Sequence, residues 1–469
     1  MTSPILSVRD LNVSFPSEAG RVDAVRGVNF DIFPGKTLGI VGESGSGKSV
    51  TSLAVMGLLP RYASITGSVK LGGEELIGLS DSQMSKFRGK DIGMIFQDPL
   101  SALTPVFDVG TQIVEALQAH DKISDKAAWA RAVELLDLVG IPNPERRAKA
   151  FPHEFSGGMR QRVVIAMAIA NNPRVLIADE PTTALDVTIQ AQILEVIQKA
   201  QDETGAGVIM ITHDMGVVAG VADDVVVMYA GKPVETGSVD EIFYTPHMPY
   251  TIGLLGSIPR ADRKKDDPLI PIYGNPPTVI NFPDICPFVE RCPVALPACR
   301  GGEPSLVAVE SHGKHAENAT IPADNAVFIH SAACIRANEI VDGKIDGKEL
   351  FPVPERPADS MAGIPREDRD TVLEVRDLVK TFPLMKGSLL KRRVGSVYAV
   401  NGIDFDLRKG ETLAIVGESG SGKSTTLLEI MDLGSGKNIT GEILLDGTDV
   451  TTVNRRRRRH MRRGIQMVF

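Results

Sequence analysis

Short apolar runs along the chain predict its buried strands. Residues 38–41 and 413–416 are apolar, and each run precedes a glycine-rich loop and a stretch that is compatible with a helix. Residues 174–180 form another apolar run, which ends in the two carboxylates Asp179 and Glu180. Residues 341–370 are instead rich in charge, glycine and proline without apolar periodicity, which predicts a linker.

Both glycine-rich loops have the sequence Gly-Glu-Ser-Gly-Ser-Gly-Lys-Ser, at 42–49 and again at 417–424. This fits the phosphate-binding P-loop, in which backbone N–H groups and a helix N-terminus face the phosphates, the lysine supplies a cation and the last serine ligates Mg²⁺. A plain glycine-rich turn is the alternative, and recurrence in the same context argues against it. The predicted nucleotide-binding residues here are Gly42, Ser44, Gly45, Ser46, Gly47, Lys48, Ser49, Val50, Gly417, Ser419, Gly420, Ser421, Gly422, Lys423, Ser424 and Thr425.

The repeat extends beyond the loops, which indicates two copies of one domain. Residues 6–11 and 24–31 return as 373–378 and 399–406. Residues 93–96 match 466–469, so the sequence ends within a predicted buried strand. We expect the natural protein to continue beyond Phe469 with Gln-Asp-Pro and a second set of motifs, this chain being a fragment or a frameshifted product.

Composition changes this picture little. The chain has 469 residues, of which 43% are hydrophobic and 23% charged, which is usual for globular domains. A net charge of −8 argues against bulk nucleic-acid binding. The basic stretch 455–459 could bind RNA or anionic lipid, although a solvated helix face is the simpler interpretation. No apolar run approaches the ~20 residues of a membrane helix, and no signal segment is evident, so we expect a soluble, cytoplasmic chain.

The acid pair that ends the run 174–180 suits phosphoryl chemistry. Asp179 is predicted to hold Mg²⁺, and Glu180 is predicted to act as the base that activates the attacking water. Such a pair can also cap the following helix, but here it follows a P-loop at the usual distance.

Residues 155–162, Phe-Ser-Gly-Gly-Met-Arg-Gln-Arg, resemble the signature motif of ATP-binding cassette (ABC) ATPases. Phe155 replaces the common leucine of that motif and Met159 replaces the common glutamine. The resemblance implies that the signature residues Ser156, Gly157 and Gly158 contact a γ-phosphate held by another cassette. Cassettes are therefore expected to pair, within or between chains, when they bind ATP and to separate after hydrolysis.

The same resemblance assigns roles to residues outside the signature. It implies a Q-loop at Gln97, a D-loop at 184–186 and a switch histidine at His213. It also implies an adenine-stacking aromatic at Phe15, with Phe382 as its counterpart in the second copy. The catalytic residues are then Glu180, His213 and Gln97, and the Mg²⁺ ligands are Ser49, Gln97, Asp179 and Ser424.

The resemblance predicts an α/β fold, a P-loop ABC nucleotide-binding domain in which a mixed sheet surrounds the P-loop helix. A helical subdomain spans 97 to about 159. The predicted domains are a first nucleotide-binding domain at 1–262, an extension at 263–340, a linker at 341–370, and the N-terminal part of a second nucleotide-binding domain at 371–469. A basic insertion at 386–393 distinguishes the second copy.

The spacer between the copies resembles the C-terminal extension of ATPases that drive oligopeptide, dipeptide and nickel importers. It contains Thr-Pro-His-Met-Pro-Tyr-Thr at 245–251, a proline-rich stretch at 268–283 and all four cysteines of the chain. The resemblance implies an ATP-hydrolysing subunit of a fused double-cassette peptide importer, at the cytoplasmic face of the inner membrane. Its partners would be two transmembrane permease subunits, which contact residues 98–105, and an extracytoplasmic peptide-binding protein. A soluble ABC ATPase, or a regulatory or degenerate form that binds ATP without sustained turnover, is the alternative.

The cysteines Cys286, Cys292, Cys299 and Cys334 follow the pattern C-x5-C-x6-C-x34-C. Disulfides are not expected in a reducing compartment. Four thiolates suit a [4Fe–4S] cluster or Zn²⁺, and unliganded buried thiols remain a third interpretation. Some members of the resembling family carry an iron–sulfur cluster at these cysteines, which favours the cluster. The neighbouring histidines His312, His315 and His330 are substitute ligands by sequence position.

Overall fold

The computed structural model of the chain describes residues 3–183, 185–259, 269–309, 329–354, 361–386, 392–431, 438–453 and 461–468. Ala184 of the predicted D-loop, His312, His315, most of the basic insertion and the stretch 455–459 lie outside these residues. The chain divides into two compact units. Unit 1 contains residues 1–185 and 189–354, and unit 2 contains residues 186–188 and 355–469.

The strands of the first 354 residues, in chain order, are β1 Leu6–Ser17, β2 Gly20–Ile32, β3 Thr37–Val41, β4 Ser64–Leu71, β5 Glu74–Glu75, β6 Ile92–Ile95, β7 Val175–Asp179, β8 Gly207–Ile211, β9 Asp224–Tyr229, β10 Lys232–Ser238, β11 Val307–Ala308 and β12 Ser331–Ala332. The helices are α1 Lys48–Val55, α2 Asp81–Met84, α3 Pro99–Ala102, α4 Val109–Gln118, α5 Asp125–Leu138, α6 Pro144–Arg147, α7 Gly157–Ala168, α8 Val187–Thr204, α9 Met215–Val221, α10 Val239–Tyr244, α11 Pro249–Gly256 and α12 Ala337–Val341. Short 3-10 turns lie at Pro152–Glu154, Pro297–Arg300 and Gly347–Glu349.

Unit 1 is built on two sheets. An antiparallel sheet has the order β2-β1-β4-β5, and the larger sheet has the order β11-β12-β10-β9-β3-β8-β7-β6. Strands β9, β3, β8, β7 and β6 are parallel to their neighbours within this stretch. All five residues of β3, of β7 and of β8 are buried, as expected for parallel strands that are covered on both faces. These sheets and helix α1 give the mixed α/β architecture around a P-loop helix that the sequence predicts.

Alternate residues of the parallel strands face two different cores. Along β7, Leu176 and Ala178 face the core shared with helices α4, α5, α7 and α8, which includes the predicted helical subdomain. The alternate residues Val175 and Ile177 face the core shared with α1 and the antiparallel sheet. Because these strands are parallel, their carboxyl ends lie at the same edge of the sheet.

Within unit 1, the extension packs against the cassette through a shared core and through strand pairing. Strand β12 pairs with β10, and Val22 of β2 forms a bridge with Ile280. Leu350 and Phe351 are buried in the core that surrounds β9, β10 and α11. The first part of the predicted linker at 341–370 thus packs as unit 1 structure.

Unit 2 repeats the antiparallel sheet of unit 1. Its elements are β13 Thr371–Lys386, β14 Arg392–Arg408, α13 Lys423–Ile430, β15 Ile439–Leu445 and β16 Thr448–Asp449, with 3-10 turns at Arg366–Asp368 and Arg462–Gly464. Strand β13 pairs with both β14 and β15, so that Leu373 lies opposite Leu445 as Leu6 lies opposite Leu71 in unit 1. The repeat in the sequence is thus a repeat in strand pairing.

Two strands predicted in the second copy do not form. Residues 413–416 and 466–468 have no strand structure, and Val416 and Val468 are 86% and 96% exposed. In unit 1 the matching strand β3 lies between β8 and β9, which supply its hydrogen bonds. The described residues of unit 2 contain no equivalent of β8 or β9. An apolar run without such neighbours has no ladder to join, which explains the difference.

Candidate functional site

The first P-loop connects the end of β3 to the start of α1, and its glycines are required by its shape. Gly42 has φ 147°, and a Cβ there would lie 2.2 Å from the carbonyl oxygen of Met228. Gly47 has φ 97°, and a Cβ there would lie 2.4 Å from the carbonyl oxygen of Ala24. Side chains at these positions would therefore displace the backbone that surrounds the loop, as well as strain the loop itself.

Lys48, the first residue of α1, lies within the curve of the loop. Its Nζ donates to the carbonyl oxygens of Gly42 at 2.7 Å and of Glu43 at 2.9 Å. Burial lowers the pKa of Lys48, and the charges of nearby carboxylates oppose that shift. A cation that is desolvated and ringed by backbone dipoles is well placed to bind phosphate oxygens.

Ser49 and Asp179 bring together the oxygens expected to hold Mg²⁺. Ser49 Oγ donates to Asp179 Oδ1 at 3.0 Å. Burial raises the pKa of Asp179, and the Ser49 hydrogen bond offsets part of that rise. Because a hydroxyl and a carboxylate are oxygen ligands of the kind that Mg²⁺ prefers, the donor set fits the ion, and a cation here would favour the ionised carboxylate.

Glu180 follows β7 and has a left-handed backbone, with φ 48°. Its Oε2 accepts from Thr183 Oγ1 at 2.9 Å and from Gln97 Nε2 at 2.8 Å, and its Oε1 lies 3.2 Å from His213 Nδ1. Burial alone would raise the pKa of Glu180, but the hydrogen bonds from Thr183 and His213 and the nearby cationic groups bring it below the usual value. The carboxylate is therefore held ionised, as a proton acceptor must be.

Gln97, Glu180 and His213 come from the ends of three adjacent parallel strands, β6, β7 and β8. The structure thus brings the three predicted catalytic side chains into one hydrogen-bonded group. Gln97 contacts Glu180 here, so its predicted role as a Mg²⁺ ligand remains a prediction. Thr183 was not among the sequence-predicted residues, although its position three residues after Glu180 on a tight turn was a usable signal.

Phe15 lies where β1 ends, partly buried against the core of the antiparallel sheet. Its ring meets the exposed ring of Tyr62 edge-on, with centroids 6.3 Å apart. Val50 on α1 packs against the same core. An aromatic pair of this kind can cover a flat base, and Tyr62 is a second aromatic that the sequence motifs did not indicate.

The signature residues lie at the start of α7, on the helical subdomain. Ser156 is the N-cap of α7, where its Oγ accepts from the Met159 N–H at 3.4 Å. Ser156 and Gly157 are exposed, whereas Gly158 is buried and a Cβ on it would lie 2.5 Å from Ile189. Among the described residues, no hydrogen bond joins these three to the first P-loop. Ser156 and Gly157 are therefore accessible from solvent in unit 1, whereas Gly158 is not.

The second P-loop has the same local shape in a more exposed setting. Gly422 has φ 98° and precedes α13, and Lys423 Nζ donates to the carbonyl oxygens of Gly417 and Glu418, each at 2.6 Å. Ser424 is exposed, and the described part of unit 2 gives it no carboxylate partner like Asp179. Phe382 is also exposed, with the Lys380 ammonium 5.4 Å from its ring centroid.

The four cysteines of the extension line one cavity together with Phe288 and other, mainly apolar, side chains. All four are free thiols. Burial raises the pKa of Cys292 to about 11 and that of Cys334 to about 12. The Cys292 and Cys334 thiols therefore stay protonated at neutral pH, and a bound metal cation would favour their thiolates.

The cavity is nevertheless not a formed metal centre. Within the described ranges, no group of three or more His, Cys, Asp or Glu side chains is placed to hold a metal ion. The expectation of a [4Fe–4S] cluster at Cys286, Cys292, Cys299 and Cys334 is therefore not supported by these residues. His330, the substitute ligand that the structure describes, contacts the buried Glu235 carboxylate at 3.0 Å and is not among the residues that line the cavity.

Comparison with known proteins agrees with this geometry. Residues 25–183 and 400–469 match the family described as "ABC transporter", and residues 234–299 match "Oligopeptide/dipeptide transporter, C-terminal region". The oligopeptide transport ATP-binding protein OppD of Mycobacterium tuberculosis is 52% identical over 468 residues, which are 100% of this chain and 72% of that protein. OppD of Bacillus subtilis is 56% identical over 307 residues, which are 65% of this chain and 86% of that protein. The glutathione import ATP-binding protein GsiA of Salmonella typhimurium is 41% identical over 472 residues, covering 99% of this chain and 64% of that protein.

Proposed function

The chain belongs to the ABC transporter family of ATPases, and we propose that it powers the import of oligopeptides through a separate membrane permease. The observation that carries the proposal is the hydrogen-bonded group of Gln97, Glu180 and His213 beside the first P-loop. The extension that matches the oligopeptide/dipeptide transporter region supports a peptide as the substrate class. The similarity to OppD of two bacteria supports the same substrate.

In the proposed reaction the chain positions ATP and neutralises charge. The P-loop amides and Lys48 bind the phosphates, and Mg²⁺, when bound at Ser49 and Asp179, offsets the negative charge that develops there. Glu180 accepts a proton from the attacking water, and His213 and Gln97 hold the Glu180 carboxylate in place. Because these groups are fixed before the reaction, little reorganisation is needed during it.

We further propose that complete sites form between cassettes. The exposure of Ser156 and Gly157 supports this, because these residues are accessible to a nucleotide held elsewhere. In this proposal the second P-loop, at 417–424, belongs to a second cassette of the same chain. ATP then acts as the ligand that favours the paired state, and hydrolysis returns the cassettes to the separated state.

The helical subdomain offers a surface for the permease. Close to Gln97, the side chains of Leu100, Val106 and Phe107 are exposed, with Val106 at 71%. An apolar patch of this kind suits a short helix from a membrane partner. We propose that two transmembrane permease subunits dock here and that an extracytoplasmic binding protein delivers the peptide. The chain would then lie at the cytoplasmic face of the inner membrane. None of the described helices is long and apolar enough to cross a bilayer.

Uptake by cells tests the transport proposal. Disruption of the gene is expected to abolish uptake of a radiolabelled oligopeptide, and the wild-type gene is expected to restore it. Glu180→Gln should fail to restore uptake although the protein is present and binds ATP. Undiminished uptake after disruption, with the protein recovered on ribosomes or DNA and without a permease, would contradict the proposal and favour a soluble ABC ATPase.

We also propose that Cys286, Cys292, Cys299 and Cys334 bind a [4Fe–4S] cluster, with Zn²⁺ as the alternative. The cavity that all four cysteines line supports this proposal. Protein purified without oxygen should be brown, with iron and sulfide each near ~4 per chain. Colourless protein with one zinc would favour the alternative, and metal-free protein with four titratable thiols would reject both.

A further inference from the structure

Arg291 of the cysteine-bearing extension contacts the first P-loop. Arg291 donates through both terminal nitrogens to the Glu43 carboxylate, at 2.7 and 2.9 Å. Glu43 is the second residue of the first P-loop, and Arg291 directly precedes Cys292. The Arg291 side chain is only 5% exposed. A two-pronged contact between an arginine and a carboxylate is among the most directional contacts that a protein makes.

Every polar group of Glu43 is engaged. Its backbone N–H donates to Tyr250 Oη at 2.9 Å, and its carbonyl oxygen accepts from Lys48 Nζ at 2.9 Å. Tyr250 itself is fully buried. Glu43 is thus held by Arg291 of the extension and by Tyr250 of α11, and its carbonyl oxygen in turn holds Lys48.

Arg291 is also linked to the cysteine cavity through two aromatic side chains. Arg291 also donates to Tyr229 Oη at 3.1 Å, and the Tyr229 ring packs edge-on against Phe288 with centroids 5.4 Å apart. Phe288 lines the cavity together with the four cysteines. Contacts between neighbouring side chains therefore connect this cavity to Glu43 of the P-loop.

We propose that Arg291 is a positioning residue of the first ATP site, which sets ATP affinity by holding Glu43. The proposal rests on ATP binding at the first P-loop, as proposed above, and applies whatever group the cysteines bind. Arg291 acts in two ways. It fixes the loop in the shape that receives phosphate, and it neutralises a carboxylate that would otherwise repel phosphate.

The second P-loop provides a comparison for the Arg291–Glu43 contact. Glu418 holds the same place in the second P-loop, and its carbonyl oxygen also accepts from the lysine, at 2.6 Å. Within the described part of unit 2, no arginine contacts the Glu418 carboxylate. The octapeptide is the same in both loops. If substitution of Arg291 changes the affinity of the first loop for ATP, that change is due to the extension and not to the octapeptide.

Isothermal titration calorimetry with Mg·ATP tests the proposal on the full chain carrying Lys423→Ala, which leaves the first P-loop as the binding site. Arg291→Gln is expected to raise the dissociation constant for ATP by about tenfold. Arg291→Lys, which keeps the charge but loses the two-pronged contact, should give an intermediate value. Arg300→Gln, which removes an exposed ion pair of the same extension with Glu290, is the matched control and should leave ATP affinity unchanged.

A double-mutant cycle separates positioning from direct contact with ATP. If Arg291 acts through Glu43, Arg291→Gln should have little further effect in the Glu43→Gln background. An equal loss in both backgrounds would overturn the proposal, because Arg291 would then contact the nucleotide itself. Unchanged ATP affinity in Arg291→Gln protein with a lowered melting temperature would also overturn it, leaving a purely structural role. Absence of ATP binding in the Lys423→Ala parent would instead contradict the proposed function.

Discussion

His213 Nδ1 lies 3.2 Å from Glu180 Oε1. The residues that follow the neighbouring strands β7 and β8 are thus in contact through one carboxylate. The Glu180 backbone adopts φ 48°, which is uncommon for a residue with a side chain. Its amide donates to the Ile211 carbonyl oxygen at 2.8 Å, which ties the turn to β8. A strained residue that is held by its neighbours on every side is typical of a site where geometry serves chemistry.

Glu180→Gln tests whether this carboxylate is the base. Glutamine has the same size but cannot accept a proton from water, so ATP hydrolysis should fall by at least ~100-fold while ATP binding persists. Steady-state phosphate release and calorimetry measure the two quantities. Lys48→Ala is the matched comparison, and it should weaken ATP binding instead.

Turnover close to the wild-type rate in Glu180→Gln protein, measured with a coupled permease, would remove Glu180 from this role. Loss of binding in the same variant would indicate that the substitution disturbs the P-loop.

Thr183→Val tests the hydroxyl that holds Glu180 from the following turn. The Thr183 hydrogen bond lowers the pKa of Glu180, so its loss raises that pKa and the acid-side decline of hydrolysis should begin at a higher pH. The rate at neutral pH should fall by about two- to tenfold. A pH profile of kcat measures both effects, and Thr183→Ser, which keeps the donor, should restore the wild-type profile. An unshifted profile in Thr183→Val protein would argue against this role.

Much of this site could be predicted because its signals are local. The P-loop is one continuous stretch, and Asp179, Glu180 and His213 each follow an apolar run. Parallel strands then bring their carboxyl ends to one edge without further information. The Arg291–Glu43 contact had no such signal, because the two residues are 248 positions apart and neither stands out by type.

Strand prediction failed in the second copy for a related reason. Residues 413–416 are as apolar as β3, but a strand forms only when neighbouring strands supply its hydrogen bonds. The burial of Leu350 and Phe351 was also unpredicted, since two apolar residues in a charged stretch give no periodicity. Local pattern is thus sufficient for loops that bind phosphate and insufficient for the partners that complete a sheet or a core.

We expect protonation of His247 to lower the stability of the folded chain in mild acid. Its ring is buried and stacks on His330 with centroids 4.4 Å apart, and burial, followed by the charge of His330, lowers the pKa of His247. Glu235 and Glu241 oppose this shift only in part. The unfolded chain therefore binds more protons below the ordinary histidine pKa of about 6.5, and stability should fall as the pH drops through that value.

Melting temperatures measured between about pH 7.5 and 5.5 test this expectation. His247→Phe keeps a ring in the stack and cannot be protonated, so its pH dependence in this range should be flatter than that of the wild type. His153 is exposed, and His153→Gln should retain the wild-type slope. A wild-type slope in His247→Phe protein would show that another group titrates.

Lys380 and Glu429 form a buried ion pair at 2.6 Å in unit 2, where the matching positions of unit 1 are the core residues Val13 and Ala54. Lys380→Met should leave the Glu429 carboxylate buried without its cation and destabilise unit 2 by about 3–5 kcal/mol. The double variant Lys380→Val with Glu429→Ala recreates the apolar pair of unit 1 and should recover most of that stability. Hydrogen exchange of peptides from β13 and α13 measures both effects.

The exposed pair of Arg376 and Glu442 is the control, because Arg376→Gln should change the free energy measured by exchange by less than about 1 kcal/mol. Equal destabilisation by Lys380→Met and Arg376→Gln would mean that burial of the Lys380 pair has no special effect.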